Sequence, residues 1–296
     1  MQYIKKLFKK KSSFSPNIRT APLSDEQIRT VSKMDIALNP PQLIVGFGES
    51  VGKQRDHNED TSFGLTATLA GTNDGLPFGI YIVADGMGGY EHGEVASSLA
   101  ARTMATYLVK NLYFPFFDVN SGSQADSFQE IMRNGVLEAQ KAVLRQVSGG
   151  GTTLTAAFLL GEQATIAHVG DSRAYFIYPD GRMQVVTRDH SIVKRLIELG
   201  QITEKEALTH PQRNVLYRAL GQGEPFEPDV STYPLPHPGY LMLCTDGLWG
   251  VVDETDIYRI IINAQNPSLA CHALVEAANS AGGPDNISVV LIQHPN

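Results

Sequence analysis

The chain has 296 residues, of which 42% are apolar and 19% charged, and it carries a formal net charge of −7. This length fits one large α/β domain with an extension or two small domains, and the acidic balance argues against general nucleic-acid binding, which needs a basic surface. The two cysteines lie in apolar surroundings and form neither a disulfide framework nor a zinc motif, so we expect a cytoplasmic protein. No run of about 18 apolar residues occurs, so we predict no transmembrane segment.

Residues 1–42 are predicted to be a basic tail. Residues 1–24 contain six lysines or arginines and no acid, so the rest of the chain has 18 basic and 31 acidic residues and a net charge of −13. The segment MQYIKKLFKKKSSFSP is typical of a solvated, disordered tail, and it has no apolar region long enough for a signal peptide. The alternative is a short basic helix in weak peripheral contact with an anionic membrane, but one or two helical turns bury little area.

A folded body is predicted to begin near Leu43 with a series of short apolar, β-rich segments. These segments are residues 43–47, 80–84, 153–160, 164–169, 174–178, 183–187, 240–244 and 287–292. The sequence YPDGR at residues 178–182 predicts a hairpin turn between two of them.

Helical periodicity occurs in blocks between the strands. It predicts helices over residues 95–108, 128–147 and 254–262, a fourth that begins at Pro267-Ser268 and ends at Gly282-Gly283, and a small, more polar helical segment within residues 191–220. Such blocks differ from the strict βαβα alternation of a parallel sheet. They predict an α+β fold in which antiparallel sheets are covered by helices on the outside.

Acidic residues stand at the boundaries of four apolar segments. They are Asp85, Asp171, Asp246 and Asp285. Any one of them is more often a turn residue than a ligand, which is how we interpret Asp180-Gly181. If the strand ends converge, however, the clustered carboxylates are unfavourable unless cations lie among them. Carboxylate and carbonyl oxygens are the ligands that Mg²⁺ and Mn²⁺ prefer, so the pattern indicates a divalent metal site.

A polar segment upstream, GKQRDHNED, adds Arg55, Glu59 and Asp60 to the candidates. Two divalent ions about 3.5–4 Å apart activate a bridging water for in-line attack on a phosphoryl group. The phosphate then needs a cationic side chain, and Arg55, four residues before Glu59, is the candidate. Taken alone, Arg55 would be interpreted as part of a surface ion pair.

From about Leu43 to Ile292 the chain resembles the metal-dependent protein serine/threonine phosphatases of the 2C type. The motifs that carry the resemblance follow in order and are RDHNED (55–60), VADGMGG (83–89), GTT (151–153), HVGDSRAY (168–175), TRDHS (187–191), HPQRNVLYRALG (210–221), CTDGLWG (244–250) and GPDNISVVL (283–291). Each motif alone is weak, but together and in order they are specific. The form DGMGG is typical of bacterial members.

The resemblance implies a four-layer α-β-β-α sandwich, with residues 43–296 as the catalytic domain and a binuclear Mn²⁺ or Mg²⁺ centre at one rim. It implies that Asp85 bridges the two ions and that Asp246 and Asp285 complete the ligands of one of them. It further implies that Arg55 binds the substrate phosphate.

The second ion is implied to be held by Glu59, by the carbonyl of Gly86 and, through water, by Asp60. Asp171, sharing Asp246, is implied to help hold a third and weaker ion.

Two positions depart from the family pattern. Met87 stands where many eukaryotic relatives have a histidine proposed as general acid, and His92, close in sequence, is a poor substitute because a lone histidine is more often structural. Gly250 stands where many relatives have an acid that helps the third ion, so we expect that site to be weaker. Residues 191–220 correspond to the family's variable flap. For His190, immediately before it, and for His210 and Arg213 within it, the sequence leaves open whether the role is functional or local packing.

The implied activity is hydrolysis of phosphoserine and phosphothreonine in proteins, in bacterial signal transduction that opposes a serine/threonine kinase. The implied nucleophile is a water that bridges the two ions. We expect a monomer that binds phosphoproteins and no nucleic acid. The alternatives are a silent relative that only binds phosphoproteins, a hydrolase of small phosphoesters, and a sandwich with merely solvated acids. Substituting Asp85 by Asn separates them.

Overall fold

The computed structural model describes residues 42–69, 76–88, 92–117, 126–223 and 226–294. The predicted tail therefore lies outside the described residues, apart from Gln42. Within the described part of the chain, no helix combines the length and apolar character needed to cross a membrane.

The described strands build two five-stranded antiparallel sheets and one short pair. In chain order they are β1 (Ile44–Ser50), β2 (Thr61–Leu69), β3 (Leu76–Ala84), β4 (Gly86–Met87), β5 (Gly151–Thr152), β6 (Leu154–Leu160), β7 (Gln163–Val169), β8 (Arg173–Ile177), β9 (Met183–Val185), β10 (Asp229–Pro234), β11 (Gly239–Cys244) and β12 (Ile287–His294). The first sheet has the order β1-β12-β11-β8-β9, and the second has the order β10-β7-β6-β3-β2. β4 pairs with β5 separately.

Helices cover the outer faces of both sheets. The described helices are α1 (His92–Leu108), which continues as a π-helical turn (Val109–Tyr113), α2 (Phe114–Phe117), α3 (Phe128–Gln146), α4 (Ile192–Glu198), α5 (Glu204–Ala207), α6 (Asp246–Trp249), α7 (Glu254–Asn263) and α8 (Pro267–Ser280). α1 and α3 pack on the second sheet, whereas α7 and α8 pack on the first.

Alternate residues of the central strands face different layers, which explains their continuous apolar character. On β3, Ile82 packs towards α1 and α3, and Val83 packs against the other sheet. On β11, Met242 and Cys244 face α7 and α8, and Leu243 faces the opposite sheet. Because both faces of these strands are buried, polar residues are confined to their ends. The predicted α-β-β-α sandwich is confirmed.

The predicted helices and most of the predicted strands are present, with shifted ends. Ser127 caps α3, and Asn266, one residue before the predicted Pro267-Ser268 signal, caps α8 through the backbone N–H of Leu269. The predicted hairpin joins β8 to β9, and Gly181 has φ +100° in its turn. Asp180 is the ordinary turn residue expected there, since it pairs with the neighbouring Arg182.

The sequence prediction missed β2 and β10, which lie at the edges of the second sheet, and also the two-residue strands β4 and β5. β2 reads TSFGLTATL and β10 reads DVSTYP, and both contain polar residues because an edge strand is only partly covered.

The flap at residues 191–220 contains the short helices α4 and α5, as predicted. No residue of α4 is fully buried. The base of the flap is closed by backbone hydrogen bonds from Ile192 N to Val215 O (2.8 Å) and from Tyr217 N to His190 O (2.9 Å). The flap is thus a hairpin-like excursion that leaves and returns beside the loop after β7.

Candidate metal centre

Four strand boundaries bring their acids to one cleft of about 450 Å³. Asp85 follows β3, Asp171 follows β7, Asp246 follows β11 and Asp285 precedes β12. The predicted site residues that line the cleft are Arg55, Glu59, Asp85, Gly86, Asp171, Asp246 and Asp285. The structure therefore gathers the acids that the strand-end pattern predicted to converge.

Asp60 is the predicted residue that does not line the cleft. It is buried, with 8% exposure, directly behind the cleft wall. The Thr245 hydroxyl donates to its Oδ2 at 2.9 Å, and its Oδ1 has no hydrogen-bond partner among the described residues. A buried carboxylate oxygen without a partner is unfavourable, which is consistent with a contact to water or a cation on that side.

The backbone around the acids is fixed by side chains of neighbouring loops. Asp85 N–H donates to Thr153 Oγ1 and Asp85 O accepts from Thr153 N–H, both at 2.9 Å. Glu59 N–H donates to Asn286 Oδ1 at 2.8 Å, and Glu59 Oε1 lies 3.0 Å from His57 Nε2. The carboxylates thus stand on a rigid rim.

A close backbone approach explains the glycine after Asp85. A Cβ atom on Gly86 would lie 2.3 Å from the carbonyl oxygen of Gly93 and 2.5 Å from that of Glu59. Only glycine lets β4 pass between the start of α1 and the Glu59 loop. This contact holds the Glu59 and Asp85 loops side by side.

Burial and mutual repulsion shift the pKa values of the clustered acids. Burial, and then the charges of the neighbouring acids, raise the pKa of Asp85 and the pKa of Asp171 well above the ordinary range. Burial, and then the Asp285 charge, raise the pKa of Asp246 to about 6, although a hydrogen bond with the Asp85 side chain opposes that rise. Burial likewise raises the pKa of Asp60 to about 7. Without cations, this cluster would retain protons.

The donor set fits hard divalent cations. It consists of carboxylates and a backbone carbonyl, together with the unpartnered oxygen of Asp60. In the conformation that the described residues adopt, no three histidine, cysteine or acidic side chains enclose a single point. Completing a coordination sphere therefore requires side-chain rotation or water ligands, which Mg²⁺ commonly keeps.

Arg55 lies at the mouth of the cleft. Its Nη2 is 2.7 Å from Asp285 Oδ2, and its side chain is half exposed. The structure thus places the candidate phosphate ligand next to the candidate metal ligands, in an ion pair with one of them.

Comparison with known proteins identifies the family and the fold. Residues 49–277 match the family model for protein phosphatase 2C. The serine/threonine phosphatase stp of Listeria welshimeri is 35% identical over 247 residues, which cover 83% of this chain and 94% of the relative. The chain belongs to the protein phosphatase 2C family. Protein phosphatase PhpP of Streptococcus pneumoniae is 32% identical over 250 residues, covering 82% of this chain and 94% of that relative.

Solved structures agree with this assignment. The crystal structure of the Mycobacterium tuberculosis serine/threonine phosphatase PstP/Ppp has a TM-score of 0.69 at 30% identity and covers 86% of this chain and 100% of that chain. The catalytic domain of PstP in complex with two manganese ions gives the same TM-score and coverage at 29% identity. The chain is therefore a serine/threonine phosphatase of the 2C type, as its motifs indicated.

The departures from the family pattern have structural consequences in this 2C-type phosphatase. Met87 lines the cleft, whereas His92 begins α1 and is exposed, so neither residue is placed there as the general acid that the sequence left open. A Cβ atom on Gly250 would lie 2.6 Å from the carbonyl oxygen of Asp246, so this backbone disfavours any side chain there.

Sequence reasoning missed several residues that line the cleft, among them His57, Thr153, Asn214, Leu216 and Asn286. Thr153 lies in the GTT motif and Asn286 in the GPDN motif, so the motifs marked these positions without indicating what they contact. Asn214 and Leu216 come from the flap, and only the folded chain shows that the flap reaches the cleft.

Proposed function

We propose that this cleft hydrolyses phosphoserine and phosphothreonine in proteins with divalent ions held by the residues predicted from the sequence. Two ions would be held by Glu59, Asp60, Asp85, Gly86, Asp246 and Asp285, and a third, weaker one by Asp171 with Asp246. The observation that carries the proposal is the convergence of buried, mutually repelling carboxylates beside one arginine. When bound, manganese or magnesium supplies positive charge for the phosphoryl oxygens and lowers the pKa of water.

Arg55 orients the substrate phosphate. One guanidinium nitrogen donates to Asp285, and no other hydrogen bond of its guanidinium is found within the described residues. The remaining N–H groups can therefore donate to two phosphate oxygens in the paired geometry that arginine favours. Asp285, in turn, holds the guanidinium at the cleft mouth.

The leaving serine or threonine oxygen requires a proton. Met87 cannot supply one, so this proton comes from water or another acid at the cleft. Arg55 at the cleft mouth is half exposed, so a phosphorylated side chain of a protein can reach its guanidinium from solvent. A phosphoprotein is therefore the substrate class that we propose, with a bacterial serine/threonine kinase as the opposing enzyme in cytoplasmic signal transduction and with the phosphatase acting as a monomer.

The test is hydrolysis of a phosphothreonine peptide by the purified full chain with Mn²⁺, with Mg²⁺ and with EDTA. We expect turnover with one or both metals, none with EDTA and none from Asp85→Asn. The matched control is Asp180→Asn in the exposed β8–β9 turn, which should retain full activity. Folded protein without turnover in any metal would overturn the activity, and an active Asp85→Asn variant would overturn the role of Asp85.

A further inference from the structure

Thr153 lies at the junction between β5 and β6 and is 1% exposed. Its backbone N–H donates to the carbonyl of Asp85, and its hydroxyl accepts from the N–H of Asp85, both at 2.9 Å. One residue therefore satisfies both backbone groups of Asp85. The Thr152 hydroxyl lies 2.9 Å from the Asp85 carbonyl and 2.9 Å from the Thr153 carbonyl, and its one hydrogen is donated to one of them.

The same side chain also contacts the loop that carries Asp171. Thr153 Oγ1 lies 2.7 Å from Ser172 Oγ, on one side of Asp171. On the other side, Gly170 has φ +109°, and a Cβ atom there would lie 2.5 Å from Thr153 Cγ2. The hydroxyl and the methyl of Thr153 thus contact the two residues that flank Asp171.

Threonine is the residue type that makes both contacts. A hydroxyl has one hydrogen to donate and two lone pairs, so Oγ1 can accept from the Asp85 N–H and also bond to Ser172. Valine keeps the methyl group but replaces the hydroxyl with a second methyl, which leaves the buried Asp85 N–H without a partner. Serine keeps the hydroxyl but loses the methyl contact with Gly170.

We propose that Thr153 is a positioning residue that sets the spacing between the carboxylates of Asp85 and Asp171, and through it the affinity of the centre for divalent ions. This inference rests on the proposed function, because it assumes that these carboxylates hold ions. The GTT motif, which contains Thr153, thereby has a role in placing Asp85 and Asp171 that its sequence alone does not indicate.

The test measures Mn²⁺ binding directly, by calorimetry and by the electron paramagnetic resonance of free Mn²⁺, for the full-length wild type and for Thr153→Val and Thr153→Ser. We expect Thr153→Val to bind Mn²⁺ about tenfold more weakly or worse, since it leaves a buried donor unpaired. Thr153→Ser should lie closer to the wild type. Thermal unfolding without metal separates a loss of folding from a loss of affinity.

The matched control is Thr165→Val, which removes another buried threonine hydroxyl, one bonded to Thr232 at 3.0 Å and away from the cleft. Its Mn²⁺ affinity should equal that of the wild type.

If Thr153→Val does not fold, Ser172→Ala, which removes the partner hydroxyl, should also weaken Mn²⁺ binding. Wild-type affinity in folded Thr153→Val, or in Ser172→Ala when that variant is the one tested, overturns the inference alone. Absence of Mn²⁺ binding by the wild type overturns the proposed function and the inference with it.

Discussion

At the scale of single residues, the ion pair between Arg55 and Asp285 connects the candidate phosphate ligand to a candidate metal ligand. The guanidinium contacts Asp285 at 2.7 Å, and the charges of Glu59 and Asp246 add to the stabilisation of its positive form. Because half of the Arg55 side chain is exposed, the pair contributes little to stability. In the proposed function, the pair holds a bidentate donor for phosphate at the mouth of the cleft.

Replacing Arg55 by alanine should therefore impair phosphate recognition and leave folding intact. We expect kcat/KM for a phosphothreonine peptide to fall by about 10- to 100-fold, the loss of one charged hydrogen-bonding group, with Mn²⁺ affinity unchanged or higher because Asp285 is released. Steady-state kinetics and calorimetry measure the two quantities. Arg182→Ala, which breaks an exposed pair in the β8–β9 turn, is the control. An unchanged kcat/KM in Arg55→Ala would contradict the proposal that Arg55 binds the substrate phosphate.

At the scale of elements, β4 passes closely between the start of α1 and the Glu59 loop, beside the candidate metal ligands. Gly86→Ala would place a methyl group within 2.5 Å of two backbone carbonyl oxygens, those of Glu59 and Gly93. Backbone cannot rotate away as a side chain can, so α1 or the Glu59 loop must shift. We expect a loss of about 1–3 kcal/mol in the free energy of unfolding, measured in urea, together with weaker Mn²⁺ binding.

Gly223→Ala provides the comparison for this substitution. A Cβ atom there meets nothing within 4 Å, and the residue has no positive φ. Its free energy of unfolding should stay within about 0.5 kcal/mol of the wild type. Equal stability of the two variants would show that the Gly86 passage is looser than its geometry indicates.

Three motif residues to which the sequence assigned no role, Arg173, Asp189 and Trp249, meet next to the Asp171 loop. Arg173 of HVGDSRAY forms a two-pronged pair with Asp189 of TRDHS, the closest contact being 2.7 Å, and its guanidinium stacks 3.5 Å above the ring of Trp249 from CTDGLWG. The indole N–H of Trp249 donates to the Asp171 carbonyl at 3.1 Å. The cluster thus ties the loop after β7 to α6.

Arg173→Met should destabilise the fold by about 3–5 kcal/mol, because it leaves the charge of Asp189, 7% exposed, without its partner. Urea unfolding measures this loss. Arg259→Met, which breaks the exposed Arg259–Asp256 pair on α7, should cost less than about 1 kcal/mol. A double variant, Arg173→Met with Asp189→Leu, should recover part of the stability. If Arg173→Met and Arg259→Met lose similar free energies of unfolding, burial does not make the Arg173–Asp189 pair more important than an exposed pair.

The sequence predicted the layers of this fold well and its edges poorly. Central strands such as β3 and β11 are buried on both faces, so their apolar runs are visible in the chain. β2 and β10 are half covered and were missed. The site acids were predictable because the buried central strands contain no acidic residue, so that the acids stand beside the strand ends. Thr153 was not, because its role depends on contacts with Asp85 and Ser172 that exist only after folding.

At the scale of the whole molecule, the acidic centre links metal binding to pH. Asp60 and Asp246 have pKa values of about 7 and about 6, above the ordinary value of 3.8. Between the ordinary value and these raised values, the folded metal-free protein binds more protons than the unfolded chain does. These groups therefore lower its stability as the pH rises from about 4 to about 7. His168 acts oppositely, because burial lowers its pKa to about 4, so its contribution to stability is lost as the pH falls from 6.5 towards 4.

The pH dependence of the metal-free protein's stability therefore combines opposing effects of the acids and of His168. The increase in Tm on adding metal depends mainly on the acids and is the better quantity to measure. His168 makes its hydrogen bonds to Thr155 and to the Arg188 carbonyl, away from the cleft, so its effect cancels when Tm is compared with and without metal. Divalent ions displace protons from the carboxylates, and their affinity rises as those protons become easier to remove. We expect Mg²⁺ or Mn²⁺ to raise Tm more at about pH 7.5 than at about pH 5. In Asp85→Asn the increase should shrink at both pH values. An equal or larger increase at the lower pH would show that the ions bind somewhere other than this protonated cluster.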